Sequence, residues 1–251
     1  MANLTPIRTE TLSPHPYPDF QADISGPLNA QNALLMVHGF GVRNDSRGMF
    51  TELAEITDSW AMSIRGNMAD PIDGHTTQAV PFAEQSARVE AMLNYADKDG
   101  LAQLAVVCHS LGCLSVARSR GVVASQVYLL APPMGNAFET FIQTPGWQRP
   151  GSKLNLAGES TLERKDGSIT KVAKEFWDEF EKFGKVERFY AGLGKENKVT
   201  VIFAEEDQVW GEQTAPRGIR TETIEGADHD FRGTARKKLF NFLLQDIKRW
   251  V

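Results

Sequence analysis

An α/β fold with a mostly parallel central sheet and helices on both faces is the fold class this sequence predicts. Three observations lead there. Short, unbroken apolar runs recur along the chain, such as Ala33–Val37 (ALLMV), Leu104–Val107 (LAVV) and Val199–Phe203 (VTVIF). Stretches with helical spacing fall between them. The chain has 251 residues, 41% of them hydrophobic, which suffices to bury a large core without disulfides or metals. Continuous apolar runs, rather than strict alternation, suit strands covered on both faces, and such strands belong to parallel sheets.

The elements follow in order. Ile7–Leu12 and Phe20–Ile24, separated by a Pro-rich turn, read as an antiparallel edge hairpin. Ala33–Val37 is the first core strand. Gly48–Thr57 carries Phe50, Leu53 and Ile56 at helical spacing, and Trp60–Ile64 is the next strand. Phe82–Tyr95 is helical, with Val89, Met92 and Leu93 on one side. Leu104–Val107 is a strand, Gly112–Ser119 a helix and Val127–Ala131 a strand. Val199–Phe203 and Thr221–Ile224 complete the sheet, and Thr234–Trp250 closes the chain as an amphipathic helix with Leu239, Phe242, Leu243 and Ile247.

Pro132–Lys198 breaks this rhythm. A structureless loop of that length is improbable in a compact domain, and the stretch has signals of its own. Thr161–Arg164 and Ser168–Val172 flank an Asp166–Gly167 turn, as in a β-hairpin. Lys174–Phe183 reads as a helix with Phe176, Phe180 and Phe183 on one stripe. The expected organisation is a core of residues 1–131 and 199–251 with an inserted cap or lid, 132–198. Core packing explains most of the cap's aromatic residues. Phe138, Phe141, Trp147 and Trp177 are the candidates for substrate contact, pointing to an apolar or aromatic group.

Charge narrows the partners. The formal net charge is −5, with both signs mixed throughout, so neither a nucleic-acid footprint nor a basic membrane patch is present. No run is long enough to span a bilayer, and Met1–Asp19 lacks the apolar stretch of a signal peptide. The two cysteines, Cys108 and Cys113, are poorly spaced to bridge each other. They read as small buried side chains in a reducing compartment, and a cytoplasmic enzyme is expected. Neither His-x-x-x-His nor Cys-x-x-Cys occurs, so no metal or other cofactor is expected.

Four short segments carry the chemistry. Cys108–His109–Ser110–Leu111–Gly112 follows a strand and opens a helix, one residue away from the nucleophile-elbow pattern Gly-x-Ser-x-Gly. A serine hydroxyl is a weak nucleophile unless a base takes its proton and donors await the oxyanion. A tight strand-to-helix turn lifts the serine clear of the sheet and aims the next amide at the reaction centre. His38–Gly39–Phe40–Gly41 follows the first core strand and supplies a second amide, so the amides of Phe40 and Leu111 form the candidate oxyanion hole. Glu205–Glu206–Asp207 follows a later strand. His229 follows the last one, in Gly226–Ala227–Asp228–His229–Asp230. In an open parallel sheet the carboxyl ends of the strands share one edge, so Ser110, Asp207 and His229 are expected to meet there. Asp207 competes with Glu205, Glu206, Asp228 and Asp230. Asp228 and Asp230 adjoin the histidine and should point away from it, and Glu205 and Glu206 lie closer to the strand end. Pro132–Asn136, after the earlier strand, has no carboxylate.

Together these segments ("MVHGFG", "CHSLG", "FAEEDQVW" and "EGADHDF") resemble the α/β-hydrolase fold family over essentially the whole chain, and serine esterases and lipases in particular. The order Ser, Asp, His is that of the family. The resemblance implies Ser110 as nucleophile, His229 as base and acid, Asp207 as orienting acid, and a cap at 132–198. Cys108 departs from the pattern by replacing the first glycine. The hairpin-plus-helix cap and the "HGFG" loop are also similar to small esterases of cinnamoyl or feruloyl esters. The expected activity is hydrolysis of a small-molecule carboxylic ester through an acyl-enzyme. A thioesterase, amidase, lactonase or C–C bond hydrolase on the same triad stands as an alternative. So does a non-catalytic binder of a small ligand. The sequence leaves the oligomeric state open.

Overall fold

A computed structural model describes residues 8–26, 32–40, 46–57, 59–65, 69–98, 103–211, 213–214 and 216–247. Ile7 at the start of the first expected strand, Gly41 of the glycine-rich loop, and residues 248–250 at the end of the closing helix lie outside the described residues, as do residues 1–6 of the N-terminal stretch.

The chain forms β1 (Arg8–Leu12), β2 (Phe20–Ser25), β3 (Asn32–Val37), α1 (Met49–Thr57), β4 (Trp60–Ile64), β5 (Ala69–Pro71), β6 (Thr76–Ala79), α2 (Phe82–Lys98), β7 (Gln103–His109), α3 (Gly112–Arg118) and β8 (Gln126–Leu130). Next come α4 (Ala137–Ile142), β9 (Ser160–Glu163), β10 (Ile169–Val172), α5 (Lys174–Glu181), α6 (Glu187–Leu193), β11 (Val199–Ala204), β12 (Arg220–Ile224) and α7 (Thr234–Ile247). Eight strands make one sheet in the order β1-β2-β4-β3-β7-β8-β11-β12. β1 and β2 pair antiparallel at one edge, and β2 runs antiparallel to β4; every later pairing is parallel.

The pleat divides the strand residues between two apolar layers. Leu35, Val37, Val106, Cys108, Val127, Leu129 and Val201 face a layer with α2 and α3, to which Val89, Met92, Leu114 and Val116 contribute. Their neighbours Leu34, Met36, Ala105, Val107, Tyr128, Leu130 and Ile202 face the other layer, with Phe50 and Leu53 of α1 and Leu239 and Leu243 of α7. This double coverage is why the strands read as unbroken apolar runs.

The stretch 132–198 contains the expected hairpin and helix, as β9, β10 and α5, but also α4, a 3-10 turn at Pro145–Gln148, and α6. Its hairpin does not stand alone. β10 pairs in parallel with β6, which pairs antiparallel with β5, giving a second sheet ordered β5-β6-β10-β9. β5 and β6 precede the elbow in sequence, in a stretch without an apolar run. Thr76–Thr77–Gln78 has no apolar alternation to mark a strand; its partner across the sheet makes it one. Arg88 of α2 anchors this sheet. Its guanidinium is 1% exposed and bonds Asp70 of β5 at 2.8 and 2.5 Å and Glu84 at 2.7 Å.

Candidate active site

β7 ends at His109, and the next residue turns sharply. Ser110 has φ 53°, a left-handed conformation that costs a non-glycine residue about 1–3 kcal/mol. Two backbone bonds hold it there: Ser110 N–H donates to Leu130 O (2.9 Å) and Cys113 N–H to Ser110 O (3.0 Å). Two glycines let the loop after β3 press against this turn. A Cβ on Gly112 would lie 2.4 Å from His38 O, and one on Gly39 would lie 2.7 Å from Ser110 Cβ. Cys108, the departure from the elbow pattern, fits without distortion. It is fully buried, and its thiol faces Tyr128 O at 3.4 Å.

The close approach of these loops sets Gly39 against Ser110, with Phe40 next to it in sequence and Leu111 directly after the serine. Among the described residues, neither the Phe40 nor the Leu111 N–H donates to a protein acceptor. Donors without an internal acceptor are the kind a developing oxyanion requires.

The strand order brings the other two groups to the same edge. His229 Nε2 lies 2.9 Å from Ser110 Oγ, and its Nδ1 lies 2.9 Å from Asp207 Oδ2. Asp207 Oδ1 accepts from the amides of Val209 (2.8 Å) and Trp210 (3.0 Å). Burial pushes the Asp207 pKa up, but the bond from His229 and the two amides outweigh it and hold the carboxyl below the ordinary aspartate value. Asp207 is therefore an anion at neutral pH, facing the imidazole. Three of the four competing acids are engaged elsewhere. Glu205 accepts from Gly226 N, Asp228 from Arg232 N, and Asp230 pairs with Arg47 and Arg232.

A second histidine lies behind the first. His109 is buried, with Nε2 2.8 Å from His229 O and Nδ1 2.9 Å from Ser46 Oγ. A nitrogen facing a carbonyl must carry its hydrogen, so Nε2 donates and Nδ1 accepts from the Ser46 hydroxyl. Burial, then repulsion from His229, pulls the His109 pKa down to about 4, so the ring is neutral at pH 7. It fixes the backbone of the residue that bridges Ser110 and Asp207. The elbow sequence alone gave His109 no such role.

No family model matches the chain, and no curated protein matches its sequence. Solved structures do. The chain superposes on an esterase domain of a Rhodothermus marinus protein with TM-score 0.66 at 16% identity, covering 98% of this chain and 99% of the other. Est1E from Butyrivibrio proteoclasticus with bound ferulic acid gives 0.65 at 16% identity, over 95% and 99%. The α/β hydrolase GrgF from Penicillium sp. sh18 gives 0.70 at 12% identity, over 98% and 99%. This chain has the α/β-hydrolase fold.

In this α/β-hydrolase fold, a cavity of about 260 Å³ opens beside Ser110 and His229. Of the four aromatic residues singled out in the sequence, it brings Phe141 to the cavity wall and leaves Phe138, Trp147 and Trp177 behind it. Those three pack into an aromatic cluster with Phe176 and Phe180, and the Trp177 indole N–H donates to Ser160 Oγ. Trp210, three residues beyond Asp207, lines the cavity instead. Its ring sits 6.4 Å from the His229 ring. Arg47, Arg149, Arg164, Lys165 and Arg232 also line it. Sequence reasoning passed over all five, since they are scattered among a mixture of both signs and lack a spacing that marks a site. Among the described residues no three of His, Cys, Asp and Glu gather as a metal-binding group, and no helix is long and apolar enough to cross a membrane.

Proposed function

We propose that this chain is a serine hydrolase that cleaves carboxylic esters through an acyl-enzyme. The observation that carries the reading is one imidazole, His229, lying 2.9 Å from both the Ser110 hydroxyl and the Asp207 carboxylate. The fold is shared with proteins described as esterases, and this supports the reaction class without fixing the substrate.

The geometry suits the following sequence. Ser110 Oγ attacks the acyl carbonyl as His229 Nε2 takes its proton. The carbonyl oxygen becomes an oxyanion between the amides of Phe40 and Leu111. Asp207 fixes the tautomer and stabilises the imidazolium. His229 then protonates the departing alkoxide, leaving the acyl group on Ser110. Water, deprotonated by the same imidazole, attacks the acyl carbon, and Ser110 leaves with the proton returned to it. The stretch 132–198, joined by β5 and β6, acts in this reading as a cap that walls the site. A cytoplasmic location belongs to the same reading; Cys108 and Cys113 are free and buried, which suits a reducing compartment.

A panel of 4-nitrophenyl esters, acyl-thioesters, anilides and β-diketones measured side by side tests the reaction class. The expected result is turnover of the esters, lowered about 10⁴-fold or more by Ser110→Ala and about 10⁴-fold by Asp207→Asn. Turnover confined to thioesters, anilides or diketones would reassign the bond cleaved. No turnover of any of them by the folded protein would remove the catalytic reading.

A further inference from the structure

We propose that the cavity beside Ser110 binds a free carboxylate of the substrate, so that the ester cleaved is one carrying a second, anionic group, held by Arg164 with Arg149. The proposal rests on the reading of Ser110 as nucleophile and goes on to name the substrate class.

Charge on the cavity wall is one-sided. Five cationic side chains line it, and Asp230 is the one acid among the described lining residues. Asp230 is already committed. It bonds Arg47 at 3.0 Å and also Arg232. Arg149 and Arg164 form no salt bridge with any described residue. Arg149 Nη1 donates to the backbone oxygen of Glu163 at 2.6 Å.

Arg164 is the decisive residue. It begins the tight turn between β9 and β10, where Arg164 N–H donates to Ser168 O and Gly167 N–H to Arg164 O. Its Nε donates to Thr170 Oγ1 at 2.9 Å, and its guanidinium lies 4.5 Å above the centre of the Phe40 ring. These contacts fix the guanidinium's position without neutralising it. Nη2 is shielded from solvent and has no hydrogen-bond partner among the described residues. A buried N–H of a cation without an acceptor is costly, and native proteins seldom tolerate one that serves no purpose. Burial, followed by repulsion from Arg149, brings the Arg164 pKa down to about 10. Even so the group stays charged at neutral pH. An anion entering the cavity would meet the Arg164 guanidinium and relieve the repulsion between the two arginines.

A carboxylate suits this site best. The planar guanidinium edge matches its two oxygens, and charge-assisted bonds of this kind are the strong ones. Stacking on Phe40 places the cation against the loop whose Gly39 packs on Ser110, so anion and scissile carbonyl would share one short molecule. Phe141, Leu162 and Trp210 supply an apolar wall for the link between them.

Two matched pairs of esters test this. Monomethyl adipate against methyl hexanoate places the carboxylate on the acyl side. 4-Carboxyphenyl butyrate against phenyl butyrate places it on the alcohol side. In at least one pair, wild-type kcat/KM should favour the anionic ester by roughly 10- to 100-fold. Arg164→Gln should bring that ratio toward one, chiefly through KM, and Arg164→Lys should restore part of it. A ratio near one in both pairs for the wild type would overturn the proposal. So would a ratio that Arg164→Gln leaves intact while its melting midpoint matches wild type. Calorimetric titration of adipate into the Ser110→Ala protein separates the two readings, because it needs no turnover. Binding that Arg164→Gln abolishes supports the anion site even if no ester is cleaved. No binding overturns it even if neutral esters are cleaved well.

Discussion

Ser110 sits where a side chain is least expected, at φ 53° and against two glycines. The strain is held by packing, and the packing depends on missing Cβ atoms. Gly112→Ala would put a methyl 2.4 Å from His38 O and 2.6 Å from Val37 O, both backbone atoms that cannot swing aside. The expected outcome is a loss of about 1–3 kcal/mol of stability, with kcat lowered by at least about 10²-fold as the Phe40 amide shifts away from Ser110. Urea unfolding and ester kinetics on the same variant check both. His109 makes a second prediction. Its folded-state pKa lies near 4, below the ordinary 6.5. Between those values the unfolded chain binds the proton more readily than the native protein. The stabilising contribution of neutral His109 is therefore complete above about pH 6.5 and is lost as the pH falls toward 4. The melting midpoint should drop more steeply over that window in wild type than in His109→Gln. Parallel slopes would mean that His109 does not titrate as its surroundings require.

At the scale of elements, the hairpin β9–β10 matters because it delivers Arg164 to the cavity. Its place is set from outside, by pairing with β6 and by the Arg88–Asp70–Glu84 cluster on α2. Glu179 of α5 adds a tie by accepting from Ala83 N at 2.8 Å. Arg88→Met removes a buried cation whose partner Asp70 is 44% exposed and can turn to water. The cost should be about 1–3 kcal/mol in urea unfolding, accompanied by a weaker preference for the anionic ester. A variant that loses stability but keeps the full preference would show that β5 and β6 do not position the hairpin. The sequence made the central strands plain because each is buried on both faces, and it made the Asp166–Gly167 turn plain because Gly167 takes φ 81°. It hid β5 and β6: β6 is a strand because it pairs with β10, 93 residues further on, and β5 pairs with β6. It also hid the arginines, whose meaning depends on which cavity they share.

For the whole molecule, the net charge is −5 while the cavity is lined by cations. Such a contrast draws anions to the site over distances of about a Debye length, roughly 8–10 Å at 0.1–0.15 M salt. Raising NaCl from about 20 mM to about 500 mM should lower kcat/KM for monomethyl adipate several-fold while changing that for methyl hexanoate little. Equal sensitivity of both would place the attraction elsewhere. The site's core was legible at this scale too. Parallel strands put their carboxyl ends on one edge, so the order Ser110, Asp207, His229 could be read as one cluster from far-apart segments. The aromatic residues of 132–198 were less legible, since Phe138 and Phe141 lie three residues apart on α4 but of the two only Phe141 reaches the cavity.

The central claim is that Ser110 is a nucleophile made reactive by His229. Its most direct measurement is the mass of the protein after exposure to a fluorophosphonate, followed by peptide mapping. One phosphonyl adduct is expected on the Ser110 peptide, formed about 10³-fold more slowly or worse in His229→Ala. An unmodified Ser110 in the folded wild-type protein, or an adduct forming equally fast without His229, would contradict it.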